Sequence, residues 1–200
     1  MIKEVYEELP EELQKKNTLK KVSEDTRNGQ FMIDSSLEVV NFDKFSKIYA
    51  HRMGIPGQPK TNDALYVTEQ RKWIFIEFKN GNMKAEDIYR KIYDSLIMVN
   101  ELGIVDWDFC RKNVSYLLVY NEEKYNENFP KLQESENRSK LHRRIRQYGN
   151  TTRKLYGIYK LEGYILERTN TYTREEFKQQ FVDKYEKIEA VYKEKKSGSL

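Results

Sequence analysis

The chain has 200 residues, with 36 Lys plus Arg against 32 Asp plus Glu, a formal net charge of +4. At 34% charged residues it is polar, but 13% aromatic residues argue against global disorder and for one domain with its own core. A single cysteine, Cys110, excludes an internal disulfide and a cysteine-based zinc cluster, and two histidines, His51 and His142, disfavour a His-only zinc site. The first residues, MIKEVYEELPEEL, are acidic and carry no apolar leader core, and no apolar run approaches the roughly 20 residues that span a bilayer. The expectation is a soluble protein of a reducing, cytoplasmic compartment, without a membrane partner.

In chain order, residues 3–25 read as helix, restarted at Pro10, and residues 1–40 as a helical N-terminal extension. Residues 31–40 are ambiguous between short strand and loop. Asn41 or Asp43 then caps a helix with Phe42, Phe45, Ile48 and Tyr49 on one stripe. Gly54, Pro56, Gly57 and Pro59 mark a loop. Residues 64–68 and 72–79 read as strands joined by a three-residue loop. The second is apolar at both parities, as in a strand covered on both faces. Residues 83–100 read as a helix striped by Ala85, Ile88, Tyr89, Ile92, Leu96 and Val99, and residues 114–120 as a buried strand. A basic helix over 138–148, a hairpin over 155–168 around Glu162-Gly163, and a last helix opened by the capping box Thr173-Arg174-Glu175-Glu176 complete the chain. That last helix turns Phe177, Phe181 and Tyr185 inward and frays after about residue 193. The pattern predicts an α/β fold, a mixed central sheet flanked by helices, as one domain over 1–200 with a core at 41–125.

The segment that carries chemistry is Thr61-Asn62-Asp63-Ala64-Leu65-Tyr66-Val67 followed by Trp73-Ile74-Phe75-Ile76-Glu77-Phe78-Lys79-Asn80-Gly81. A hairpin with loop 69–71 pairs Thr68 with Lys72, Tyr66 with Ile74 and Asp63 with Glu77. Opposed carboxylates on a largely buried sheet repel, so a proton, a basic group or a bound cation must compensate. Glu77 and Lys79 stand two apart on one strand and share a face. A hard divalent cation would find two carboxylates there, with the Phe78 carbonyl and water beside them. The lysine would help activate metal-bound water or steady charge on a phosphoryl oxygen. Acid-x-Lys alone is a weak signal, since Glu122–Lys124, Glu176–Lys178 and Glu194–Lys196 also match. Only Glu77–Lys79 closes an apolar strand with an aspartate set opposite. The plain alternative is an edge ion pair between Lys79 and a carboxylate, with Asp63 as a strand-capping loop residue.

Over about residues 61–100, with a following strand at 114–120, the chain resembles the PD-(D/E)XK nuclease superfamily of restriction-endonuclease-like fold. It resembles in particular small uncharacterised bacterial members with an NDAL…IEFKNG…IYDSL pattern. The resemblance implies an α-β-β-β-α-β core, Mg²⁺ or Mn²⁺ held by Asp63, Glu77 and the Phe78 carbonyl, and Lys79 as the catalytic lysine. It implies metal-dependent phosphodiester hydrolysis, with DNA as the expected partner, and it admits a homodimer. Asn62 stands where the family has proline. A helical glutamate found in many members has Glu38 as its preferred counterpart here and Asp43 as competitor. The Gln-x-x-x-Tyr pair of some members is absent, Tyr89 and Tyr93 having only the spacing. Arg90 and Lys91 on that helix could contact phosphate, a solvated helix face being the plainer reading. The competing function is a catalytically inactive nucleic-acid- or protein-binding module on the same fold.

From Asn137 to Leu161 there is no Asp or Glu, while Arg138, Lys140, Arg143, Arg144, Arg146, Arg153, Lys154 and Lys160 fall in that window. Such a surface attracts phosphate backbones without sequence preference. Lys140, Arg143, Arg144, Arg146 and Arg153 are the candidate nucleic-acid contacts, and Tyr148 and Tyr156 could stack on bases. A solvated helix balanced by the acidic residues Glu122 to Glu136 is the alternative. His51 and Arg52 read as a helix end, and Cys110, after Trp107 and Phe109, as a buried thiol.

Overall fold

The structure is a computed structural model, and it describes residues 9–26, 28–81, 84–124 and 154–197. The elements are β1 (Lys16–Thr18), α1 (Leu19–Val22), β2 (Glu24–Asp25), β3 (Gln30–Phe31), β4 (Glu38–Asn41), α2 (Phe42–Arg52), β5 (Ala64–Val67) and β6 (Trp73–Lys79). They continue as α3 (Ala85–Glu101), α4 (Trp107–Asn113), β7 (Val114–Tyr120), β8 (Arg168–Thr173), α5 (Arg174–Phe177) and α6 (Asp183–Ser197). Six strands form one mixed sheet in the order β1-β4-β5-β6-β7-β8, and β2 and β3 make a separate ribbon. The first three pairings along the large sheet are antiparallel and the last two are parallel. This is the predicted α/β class.

Strand alternation sorts the core into two layers. Leu65, Val67, Trp73, Phe75, Val114, Tyr116 and Leu118 point to one face, where α2, α3 and α4 bury Phe45, Ile88, Ile92, Leu96 and Cys110. Ala64, Tyr66, Ile76, Phe78, Leu117 and Val119 point to the other, against Phe177, Phe181 and Val182 of the C-terminal segment. That segment starts as predicted: Thr173 and Glu176 exchange side chain–backbone bonds in a capping box. A π-helical turn at Lys178–Val182 leads into α6, which runs to Ser197, past the predicted end.

Two sequence expectations are corrected. Residues 9–25 are not one helix but a 3-10 turn (Glu11–Gln14), β1, α1 and β2. Their leucines mark a helical period, yet Leu13 is buried in one core layer and Leu19 in the other, on opposite faces of the sheet. Lys16–Thr18 pairs with β4 instead, and Thr18 caps α1. Residues 155–168 are not a hairpin. Leu155, Ile158 and Leu161 are all buried, on a 3-10 stretch (Leu155–Leu161) that is kinked by left-handed backbone at Tyr156 (φ 58°) and Gly157 (φ 69°). Only β8 follows, parallel to β7, and the expected Glu162-Gly163 turn survives as a bridge from Glu162 to Leu166.

The elements around the candidate site match the sequence reading closely. Asn41 caps α2 through Lys44 N, and the β5–β6 loop carries Arg71 at φ 58°, with Arg71 N donating to Thr68 O at 2.9 Å. This is a type I turn closed by a left-handed residue, a standard three-residue hairpin loop. With the β2–β3 ribbon set aside, the order is α1-β4-α2-β5-β6-α3-α4-β7, so the expected α-β-β-β-α-β order is interrupted by α2 and α4.

Candidate metal and phosphate site

The β5–β6 register pairs Tyr66 with Ile74 and Ala64 with Ile76 and ends there, so Asp63 stands just before β5, beside the end of β6 but out of the expected pairing with Glu77. Asp63 N donates to Ile76 O at 3.1 Å, and Asp63 Oδ2 accepts from Phe78 N at 2.7 Å. The aspartate is thus fixed by β6 at both its backbone and its carboxylate. Glu77 shares the parity of Trp73 and Phe75, and Lys91 of α3 reaches both carboxylates, so Asp63 and Glu77 meet on the face that carries α3, at the C-terminal end of β6.

Glu77 is fully buried. Its Oε1 pairs with Lys79 Nζ and lies 2.6 Å from Lys91 Nζ, while its Oε2 is buried and accepts no hydrogen bond among the described residues. Lys91 Nζ also lies 3.2 Å from Asp63 Oδ1, so one ammonium bridges both carboxylates. Burial first, and then the Asp63 charge, push the Glu77 carboxyl up to about 7, with Lys79 and Lys91 pulling the other way. Burial lowers Lys91, but Asp63 and Glu77 more than reverse this and hold it above the ordinary lysine value. The Tyr116 hydroxyl, buried on the same face with no hydrogen-bond partner among the described residues, is raised well above 10 by burial, with Glu77 and Asp63 adding to it.

Asp63, Glu77 and Lys79 therefore converge as the sequence predicted. Lys91 joins them against the expectation of a solvated helix face. Arg90 does keep to that face, pairing with Asp94 at 3.6 Å. The signal for Lys91 was in the sequence: it lies three residues after Ile88 and four before Ser95, inside the stripe that α3 buries. A lysine there reaches the sheet.

Glu38 does not join the cluster. The β4–β5 register continues to set it opposite Val67, four residues and about 13 Å from Asp63, and its carboxylate faces Lys16 at 3.8 Å. Residues 38–41, ambiguous between strand and loop in the sequence, are a strand, and its pairing along β5 sets Glu38 apart from Asp63. Asp43 is closer to the segment: Thr61 Oγ1 donates to its Oδ1 at 3.2 Å, and the neighbouring Phe42 N donates to Asp63 O at 3.2 Å. Asn62 is fully buried and neither its amide nitrogen nor its amide oxygen has a partner among the described residues. His51 and Arg52 end α2 in exposed positions, and Cys110 is buried, its thiol raised by burial.

The basic helix expected at 138–148, with Lys140, His142, Arg143, Arg144, Arg146 and Tyr148, and also Arg153, lies outside the described residues. Within the rest of that window Lys154 is paired with Glu162, and Tyr156 is half-buried against the core. Among the described residues no helix is long and apolar enough to cross a membrane.

Among the described residues no group of three or more His, Cys, Asp or Glu side chains is placed to hold a metal. The donor set here is smaller: two carboxylates, one with a buried oxygen lacking any partner, and the adjacent Phe78 backbone. That set suits a hard cation completed by water and a substrate oxygen, the usual condition of Mg²⁺ sites that act on phosphates. No family model, curated protein or solved structure matches the chain.

Proposed function

We propose that the chain is a metal-dependent phosphodiesterase on a restriction-endonuclease-like core, hydrolysing DNA through water activated by Mg²⁺ or Mn²⁺. The observation that carries this is the buried Glu77 carboxylate, joined to Asp63 through Lys91, with its Oε2 unpartnered among the described residues while two lysines reach its Oε1. Buried polar atoms are rarely left without a partner, and an orphaned carboxylate oxygen beside a second carboxylate is an arrangement a cation satisfies. In this reading Asp63 and Glu77 hold the metal, with the Phe78 carbonyl as a third donor. A divalent cation held there would lower the pKa of water and polarise a phosphoryl oxygen. Asp63 is held ready by Phe78 N. Lys79, close to Glu77, orients the attacking water and offsets charge developing on the phosphate. The acid-free stretch from Asn137 to Leu161 supplies positive charge for the nucleic-acid backbone.

One observation favours the second reading, an inactive binding module: Lys91 already pairs with both carboxylates, and Lys79 adds a second positive charge at Glu77. The two readings differ in metal response. Under the first, millimolar Mn²⁺ raises the melting temperature of the wild type by several degrees, because a ligand of the folded state stabilises it by mass action, and Asp63→Asn abolishes the rise. An Mn²⁺ shift that is absent from wild type, or equal in Asp63→Asn, contradicts the first reading.

A further inference from the structure

Lys91 has a place in the site that neither the metal reading nor the lysine of the Glu-x-Lys pattern accounts for. Its ammonium lies 2.6 Å from Glu77 Oε1 and 3.2 Å from Asp63 Oδ1. It is therefore the cation shared by the carboxylate pair, whereas Lys79 pairs with Glu77. The two lysines come from different elements. Lys79 is fixed on β6, while Lys91 reaches down from α3, whose Ile88, Ile92 and Leu96 are packed into the core. Two neighbouring carboxylates on a buried face need compensation at all times, and burying Glu77 without a counter-charge would be costly.

We infer that Lys91 is a tethered counter-cation, which compensates Asp63 and Glu77 when no metal is bound and competes with the divalent cation for the same oxygens. This rests on the metal-site reading above and adds a control to it. The two cations cannot share this space at full strength, because an ammonium within about 4 Å of a divalent ion repels it by an amount that matters even at the effective dielectric of a protein surface. Metal binding therefore requires Lys91 to withdraw along its flexible four-carbon stem. A withdrawn ammonium at the mouth of the site is free to meet an anionic substrate oxygen. The site is thereby set for weak metal binding by the protein alone and tighter binding when an anion is present to receive the lysine.

The test is calorimetric titration of Mn²⁺ alone, at constant pH and without substrate, into full-length wild type, Lys91→Met and Lys91→Arg. Methionine keeps the apolar length and removes the charge. Arginine keeps the charge and grips carboxylates through two parallel bonds. Lys91→Met is expected to bind Mn²⁺ at least tenfold more tightly than wild type, and Lys91→Arg several-fold more weakly. Should Lys91→Met not fold without metal, recovery of its fold on adding Mn²⁺ supports the inference, and Lys91→Arg still reads the competition. Binding by wild type that is unchanged or weakened in Lys91→Met overturns the role of Lys91 and leaves the metal site standing. No binding by wild type or by Lys91→Met overturns the metal site and the inference together.

Discussion

Glu77→Gln is expected to lower metal-dependent DNA cleavage by at least about 10³-fold while leaving the fold intact. The substitution keeps the shape of the side chain and removes one of the two charges that would hold the proposed metal. Losing several kcal/mol of charge stabilisation in the transition state is a rate loss of that order. Stability responds differently. The Glu77 carboxyl is fully buried and held up near 7 by burial and by Asp63, so an amide in its place avoids the cost of a buried charge. Lys91 keeps Asp63, 3.2 Å away, as its partner. The melting temperature of Glu77→Gln should thus stay within a few degrees of wild type. Initial rates on circular DNA, measured beside thermal melts, check both halves. Full activity in Glu77→Gln would remove this residue from the chemistry. A collapsed melt with no activity would mark it as a folding element.

The second large effect is on stability. Phe42→Ala should destabilise the protein by about 3–5 kcal/mol, the usual cost of deleting a buried phenyl ring and leaving a cavity. Phe42 is fully buried, with ring centroids 4.8 Å from Phe45 and 4.9 Å from Phe75. It is the first residue of α2 and its N–H donates to Asp63 O at 3.2 Å, so it joins the helix, the sheet and the backbone of a site residue. Such a loss would consume a large share of the roughly 5–15 kcal/mol that separates folded from unfolded states in a typical domain. Phe42→Leu, which keeps most of the volume, should cost much less. Denaturant unfolding of the three proteins measures this, and a loss below about 1 kcal/mol for Phe42→Ala would mean that the packing around it is not what holds α2 to the sheet.

What was legible in the sequence and what was not divide along one physical line. Local signals were read correctly where a single element decides the outcome. Asn41 caps α2, the three-residue loop fixes the hairpin register from Val67–Trp73 to Ala64–Ile76, the apolar stripe forms α3, and the Thr173 capping box starts the C-terminal segment. The misses are places where tertiary pairing overrides local pattern. Lys16–Thr18 became a strand because the edge of β4 was there to be paired, and Leu13 and Leu19 went to opposite sides of the sheet. Glu38, the preferred counterpart of the helical glutamate, lies on a four-residue strand that carries it away along β5. Lys91, expected on a solvated helix face, is turned to the sheet by its position in the stripe. At Lys91 periodicity is the physical cue that decides.

The central claim is that Asp63, Glu77 and Lys79 form a metal-dependent phosphodiesterase site. The most direct measurement incubates wild type and Lys79→Ala with supercoiled plasmid and with single-stranded DNA circles, each in Mn²⁺ or in EDTA. Cutting is expected from wild type in Mn²⁺ only, on at least one of the two circles, and none from Lys79→Ala. Equal cutting by both proteins, or cutting that persists in EDTA, would contradict it.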